Sequence, residues 1–396
     1  MPDNGDDDSN LFPNWARDFR AKMPIVADWA YFDHSAVAPL PAPTVQAISR
    51  WSDQAARQGD TVWPEWAAGV ERLREQAATA INASPDEIAL VPNTTAGIQI
   101  VASGVRWNRG DNVVVPANEF PSNMYPWMAL AELGVETRRV EFPDGQIDIQ
   151  RLAGACDDRT RIVTCSWIGY ASGWRIDVRE LCQAVHARGA MVFLDAIQGL
   201  GVFPLDVRET QVDFAAADGH KWLLGPEGAG VFFCRRDRLD DLRPVAAGWN
   251  SVVGRYDFSK IDWLPRPTAA RFEGGSQNMV GMLALGESLR VLQEAGWGPQ
   301  SSRLSDQVLK MADRLRDLLV TNGARILNPA AEVHRSGIVV FDVPGVAPTE
   351  VQKRCREKFV AVSVRGGGVR ASVHAYNTAE DLDRLITVVR ELLPRF

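Results

Sequence analysis

Two neighbouring segments, Phe193-Leu-Asp-Ala-Ile-Gln-Gly-Leu-Gly201 and Asp213-Phe-Ala-Ala-Ala-Asp-Gly-His-Lys-Trp222, decide how the chain is read. Each opens on a short apolar run of strand length. Asp195 falls where the first run stops, and Lys221 lies 26 residues further on, just past the second. Open α/β sheets place ligand-binding groups outside the carboxyl ends of their strands, so both residues are candidate site residues. A strand-end carboxylate and a lysine so placed suit pyridoxal 5′-phosphate (PLP) chemistry. The amine forms a Schiff base with the cofactor aldehyde, and the carboxylate keeps the pyridine nitrogen protonated. Burial is costly for an unpaired carboxylate, and a pyridinium would supply the partner. Taken singly, Asp195 reads better as a helix cap and Lys221 as a surface lysine. The argument rests on their placement together.

Outward from this stretch the pattern repeats. Apolar runs of strand length occur at Ile88–Val91, Val113–Val115, Ile162–Cys165, Met191–Leu194, Phe214–Ala217 and Gly230–Cys234. Helical spacing separates several of them, as in Val178–Arg188. Upstream, Trp66, Val70, Leu73, Ala77 and Ile81 recur every three or four residues after Pro64, which predicts an amphipathic helix. Runs apolar on consecutive residues suit strands covered on both faces, as in a mostly parallel sheet of an α/β fold. Past residue 300 the texture changes. A helix over Ser302–Leu319, strands at Ile338–Val343 and Val369–Val373, a helix from Thr349 and a C-terminal helix with Leu382, Leu385, Ile386, Val389 and Leu392 on one face predict a smaller α+β domain. The expected division is a tail and arm over 1–30, a large domain over 31–295 and a small domain over 296–396.

Composition narrows the function classes. At 396 residues, with 46% hydrophobic and 23% charged residues, the chain has the make-up of a globular protein large enough for a substantial core. Most of its thirteen tryptophans are expected to fill core or interfaces. A net charge of −7 argues against nucleic acid as a partner. The acidic run Asp3–Asp8 reads as a solvated tail. No stretch approaches the ~20 apolar residues of a membrane span, and no secretory signal is visible. Five scattered cysteines, none in a CxxC pair, argue for reduced thiols in a cytoplasm and against a zinc site. Gly366-Gly-Gly368 lacks the GxGxxG spacing of a nucleotide-binding loop.

Asp195-Ala-Ile-Gln198 taken with Gly219-His220-Lys221 resembles the signature of the class V aminotransferase family of fold-type I PLP enzymes. That family includes cysteine desulfurases, selenocysteine lyases, kynureninases and isopenicillin N epimerase-like proteins. The likeness runs from about Tyr31 to Asn377 and implies the fold-type I architecture, a large domain with a mostly parallel seven-stranded sheet and a smaller C-terminal domain. It implies PLP as cofactor, with Lys221 holding it, Asp195 on the pyridine nitrogen, Gln198 on the phenolic oxygen and His220 shaping the site. His220 reads as readily as a structural histidine. Pro92-Asn-Thr-Thr-Ala-Gly97 opens a helix, where free N–H groups and two hydroxyls suit a phosphate, and the resemblance assigns Thr94 and Thr95 to it. In Gly274-Gly-Ser-Gln-Asn278, Ser276 is similar to a residue that reaches the phosphate of a neighbouring subunit, which implies a homodimer with a shared site. Phe120 stands where a ring stacks on the cofactor. Arg370, in Val369-Arg-Ala-Ser-Val-His-Ala-Tyr-Asn377, resembles the substrate-carboxylate ligand, and its planar fork suits that grip. Arg175 and Arg365 are weaker candidates for pocket cations. His374 and Tyr376 are read as structural.

Departures from the family pattern bear on the reaction. Trp167 stands where desulfurases carry Asn and is expected to remake a wall of the pocket. Asp218 replaces a phosphate-binding Ser and is expected to point elsewhere or meet a cation. The segment Val364-Arg-Gly-Gly-Gly-Val-Arg370 carries no cysteine where desulfurases have a thiol-bearing loop. From this the sequence reading favours transamination of an α-amino acid, keeps β-elimination (C–S lyase) or epimerisation as the alternative, and disfavours a persulfide-forming cysteine desulfurase. A non-catalytic homologue ranks last, because Asp195, Gln198, Lys221 and Arg370 are all intact.

Overall fold

Val113, Val114 and Val115 are all fully buried, and so are Val192, Phe193 and Leu194. Such runs have no solvent face, and they form the middle of one layered sheet. The computed structural model describes residues 12–393, so the acidic run Asp3–Asp8 lies outside the described residues. In chain order the strands are β1 (Ala30–Tyr31), β2 (Ile88–Val91), β3 (Asn112–Pro116), β4 (Glu136–Val140), β5 (Thr160–Ser166), β6 (Met191–Asp195), β7 (Phe214–Asp218) and β8 (Gly230–Cys234). They continue with β9 (Arg325–Ile326), β10 (Ile338–Asp342), β11 (Val360–Ala361), β12 (Ser363–Arg365) and β13 (Gly368–Ser372).

Seven strands make the main sheet in the order β2-β8-β7-β6-β5-β3-β4. All are parallel except β8, which runs against β2 and β7. Side chains alternate between faces with period two. Val192 and Leu194 of β6 join one core with Leu181 and Val185 of helix Val178–His186. Met191 and Phe193 join another with Ile98 and Val101 of helix Thr94–Gly104. Six of these strands are legible as apolar runs. The seventh, β4, is not, because it is an edge strand whose Glu136, Arg138 and Arg139 are partly or fully exposed.

Helix Thr94–Gly104 sits unusually close to the sheet. A Cβ on Gly97 would come within 2.5 Å of the Ala216 Cβ on β7, so glycine is required for this approach. The contact draws the helix start toward the ends of β6 and β7.

The C-terminal layer has its own antiparallel sheet, β12-β13-β10-β9. Its core includes Leu315, Leu319, Val351, Leu382, Leu385 and Ile386. The short β1 pairs in parallel with β11, so Ala30 and Phe32 belong to this core although they precede the main sheet in sequence. β12 and β13 are joined by Gly366-Gly367, both with positive φ (62° and 80°), a two-residue hairpin turn that glycine permits without strain. That is the role of the glycine run, in place of any nucleotide loop. Among the described residues no helix is long and apolar enough to cross a membrane.

The edge strand β2 is fastened by a buried ion pair. Arg74 donates to the Glu273 carboxylate and to the Ile88 carbonyl, and Glu273 accepts from the Leu90 N–H at 2.8 Å. Removing one partner leaves an uncompensated buried charge and an unpaired strand N–H. Glu273→Leu is therefore expected to lower unfolding free energy by about 3–5 kcal/mol, measured by chemical denaturation. An unchanged midpoint would show that this pair contributes nothing.

Candidate active site

Strands β2, β3, β5, β6 and β7 all end at the same edge of the sheet, and the candidate residues follow those ends. Asp195 is the last residue of β6 and is 3% exposed. One carboxylate oxygen accepts the Ile197 N–H at 3.1 Å. Burial raises its pKa to about 6, against the opposing effect of that N–H and of Lys221. Lys221 follows β7 and is 8% exposed. Burial lowers its pKa to about 8, with Asp195 pulling the other way. Its Nζ lies 5.5 Å from the centre of the Phe120 ring.

The helix that opens at Thr94 is capped by Asn93, whose side-chain oxygen accepts the Ala96 N–H at 2.8 Å. The buried Thr94 hydroxyl accepts the Asp218 N–H at 2.9 Å, whereas Thr95 faces solvent. Asp218 does meet a cationisable group: its Oδ2 is 2.9 Å from His220 Nδ1, without the alignment a hydrogen bond needs. Gln198 is buried and doubly tied, donating to the Ser35 carbonyl at 3.1 Å and accepting from the Trp222 indole at 2.8 Å. One amide hydrogen is left for a ligand. Trp222 in turn stacks on His374, and His34 reaches the Tyr376 hydroxyl at 2.6 Å. Residues from both ends of the chain thus hold the turn that carries Lys221, consistent with the structural reading of His374 and Tyr376.

Arg370 arrives from β13 and is 2% exposed. Its Nη1 donates to the Tyr170 carbonyl at 2.8 Å, its Nε to Ser363 Oγ at 3.2 Å and its Nη2 to Asp33 at 3.4 Å. A guanidinium has five N–H groups, so two remain for a carboxylate. Tyr170 also packs edge-on against Phe120, with ring centres 5.2 Å apart. It therefore joins Arg370 to the Phe120–Lys221 side of the site.

The structure thus gathers Asp195, Lys221, His220, Thr94, Gln198, Phe120 and Arg370 around one sheet edge. Ser276 is not among them. It is exposed and lines a different cavity, with Pro92, Ala96 and Gln99. Two expectations need correction. Trp167 forms no pocket wall: it is buried in the core against Phe203, with its ring on Gly199. Arg175 is not a pocket cation either, since its guanidinium lies over the Phe203 ring and donates to the Arg335 carbonyl. Arg365 is exposed on the hairpin and donates to the Val364 carbonyl.

Several site neighbours carry no signal in the sequence. Asp33 and Ser363 reach Arg370 only through the pairing of the N-terminal segment with the C-terminal layer. Glu119 accepts from the Ser166 N–H and hydroxyl. Desolvation raises its pKa to about 7, eased by Ser166 and increased by repulsion from Asp195. It sits inside the loop quoted for Phe120, and only its bonds to Ser166 and its nearness to Asp195 distinguish it from an ordinary loop glutamate.

The arrangement has counterparts in known proteins. A probable cysteine desulfurase of Methanothermobacter thermautotrophicus is 33% identical, over 95% of this chain and 97% of its own length. The solved apo structure of a cysteine desulfurase from Thermococcus onnurineus superposes with a TM-score of 0.85 at 26% identity, covering 96% of this chain and 98% of that one. A structure of C-DES with glycine covalently linked to its PLP cofactor shares the fold at 22% identity, with a TM-score of 0.85 over 94% of this chain and 99% of that one. These relatives overturn the preference for transamination over desulfuration. That preference rested on one short segment before Arg370, whereas the similarity to desulfurases spans almost the whole chain. The family model for aminotransferase class V matches residues 30–385, and on that match the chain belongs to the class V aminotransferase family, with pyridoxal phosphate as its cofactor.

Proposed function

We propose that this enzyme uses PLP to break the Cβ–S bond of cysteine or a close analogue. The reading is carried by the convergence of Lys221, Asp195 and Arg370 at one sheet edge, in a chain 33% identical to a probable cysteine desulfurase. The residues fit the cofactor. Asp195 is a buried carboxylate with its pKa raised to about 6, so a cation against it would relieve a real cost. Lys221, lowered to about 8, supplies a sizeable fraction of free amine near neutral pH, the form needed to attack an aldehyde.

In this reading Lys221 would hold the cofactor, Asp195 would pair with its ring nitrogen and Gln198 would bond its phenolic oxygen with the remaining amide hydrogen. Phe120 would stack on its ring, Thr94 and Thr95 would meet its phosphate, and His220 would help shape the site. The bound cofactor supplies an electron sink for charge developing at the substrate Cα. Arg370 grips the α-carboxylate, held in aim by Ser363, Tyr170 and Asp33. Lys221 would take the Cα proton as general base. Phe120 and Tyr170 shield that proton from bulk water.

Ser276 reaches the phosphate from a second copy of the chain in this reading, which makes the working unit a homodimer. An exposed apolar stretch supports it: Phe258, Ile261 and Trp263 are 73%, 91% and 59% exposed, more than a monomer ordinarily leaves uncovered. Five unpaired cysteines support a reducing compartment, the cytoplasm.

Three variants test the assignment. With cysteine as substrate, the PLP-loaded enzyme is expected to release sulfur and a three-carbon product, and Lys221→Ala to lose both that turnover and the cofactor's visible absorbance band. Cysteine left unreacted, with another amino acid converted to its keto acid, would sink the proposal. Arg370→Lys keeps the charge but loses the fork, so KM is expected to rise roughly 10- to 100-fold with a smaller change in kcat. In the cofactor-free protein, the raised pKa of Asp195 means that the folded state binds its proton more tightly than the unfolded chain. Its stability contribution is therefore present below pH 3.8 and lost as pH rises through about 6. Asp195→Asn is accordingly expected to stabilise the apo-protein by about 3 kcal/mol at pH 8 and not at pH 3.5, read from denaturation midpoints. A uniform effect at both pH values would contradict the origin given for the shift.

A further inference from the structure

If cysteine is the substrate, as proposed above and on which this inference rests, its sulfur can leave by two routes. Hydrosulfide departs from Cβ, or a thiolate attacks the substrate sulfur and carries it off as a persulfide. In the second route an S–S bond forms as the Cβ–S bond breaks. The bonding electron pair stays with Cβ, which takes up a proton, and the product is alanine. Sulfur is oxidised to the sulfane level by the same two electrons that reduce carbon, so no outside oxidant is needed.

None of the chain's own thiols is placed for that attack. Cys182, Cys234 and Cys355 are fully buried, in helix Val178–His186, at the end of β8 and in helix Pro348–Glu357. The half-buried Cys156 precedes β5, whose seven residues separate it from Ser166 by about 20 Å of strand rise. Cys165 is nearest the site but fully buried within β5, and Glu119 and Asp195 add to the desolvation that holds its thiol protonated. Burial raises the other four thiols as well, Cys355 to about 12. The hairpin before Arg370 is closed by Gly366 and Gly367 and carries no thiol.

What lies there instead is a cleft of about 700 Å³ between the main sheet and the C-terminal layer, lined in part by Asn118, Glu119, Ser166, Tyr170, Asn328 and Gly366. Its size and mixed lining suit a small polar molecule. Tyr170 is common to cleft and site: its carbonyl accepts from Arg370 and its ring meets Phe120, beside Lys221. We propose that this cleft admits a diffusible small-molecule thiol that takes the sulfur directly from the bound substrate, so that the persulfide leaves on a small molecule and not on the chain.

The test uses the PLP-loaded full chain with cysteine, with and without 2-mercaptoethanol or glutathione. Alanine, pyruvate and sulfide are quantified, and persulfides are trapped by alkylation at quench and located by mass spectrometry. Added thiol is expected to raise the rate of alanine formation with saturation, free cysteine serving as the weaker acceptor when none is added, and in both cases with small-molecule persulfide formed alongside the alanine and no persulfide on any of the five cysteines. Cys156→Ser, which removes the most accessible thiol, is expected to behave as the parent. Ala330 also lines the cleft, and Ala330→Trp is expected to raise KM for glutathione about tenfold while sparing 2-mercaptoethanol. One equivalent of alanine without added thiol, accompanied by a persulfide on a protein cysteine, would overturn the inference. So would pyruvate and sulfide in place of alanine. If cysteine yields none of these products under any condition, the proposed function falls first and the inference with it.

Discussion

The site depends on a carboxylate that the fold buries at a cost. Asp195 ends a strand with no solvent face, and among the described residues its relief comes from one backbone N–H and the attraction of Lys221. Neither is sufficient to bring its pKa back to the ordinary carboxylate range. Lys221 is under the matching constraint, since burial drives off its proton while Asp195 holds it on. The two groups are thus each half-satisfied, which is the electrostatic condition for a site that will accept a cationic ring and expose a nucleophilic amine. A polypeptide selected for stability alone would have neutralised or exposed them. Their retention under an otherwise apolar core marks chemistry.

Holding such a pair in place requires support from elements distant in sequence. The turn carrying Lys221 is locked by Trp222, which reaches Gln198, which reaches Ser35. Trp222 also stacks on His374, and His34 binds Tyr376. Arg370 is aimed in the same way by Ser363 and Asp33, and Asp33 stays near it because β1 pairs with β11 and Asp33 itself bridges to Ser372. The N-terminal segment therefore acts as a strap across the two layers. Moving the C-terminal layer would move the guanidinium relative to Lys221, so the grip on a substrate carboxylate is mechanically coupled to how the layers pack.

What the sequence made legible follows from the range of the forces involved. Apolar runs such as Val113–Val115 and Phe214–Ala217 announce strands because burial on both faces is a local demand on each residue. β4 escaped because an edge strand places no such demand on Glu136 or Arg139. Asp195, Lys221 and Arg370 were legible through the motifs around them. Asp33, Glu119, Tyr170 and Ser363 were not, because their roles arise only when segments as far apart as residues 33 and 370 meet. Trp167 was misread for a related reason. Its neighbours in sequence suggested the pocket, whereas the missing side chain of Gly199 gave its ring a place in the core. The ranking of reactions failed differently, by letting one loop outweigh a likeness that runs the length of the chain.

That same loop has a consequence once the fold is known. A two-residue hairpin holds β12 and β13 in tight register, with Ser363 opposite Arg370, and this register is what places the Ser363 hydroxyl against the guanidinium. A longer loop could bring a side chain into the site. A tight turn trades that reach for a rigid Arg370 and an open approach past Tyr170. Rigidity at the carboxylate end and openness at the sulfur end belong together. A substrate pinned firmly by one end leaves its other end facing the cleft, where a second molecule can meet it.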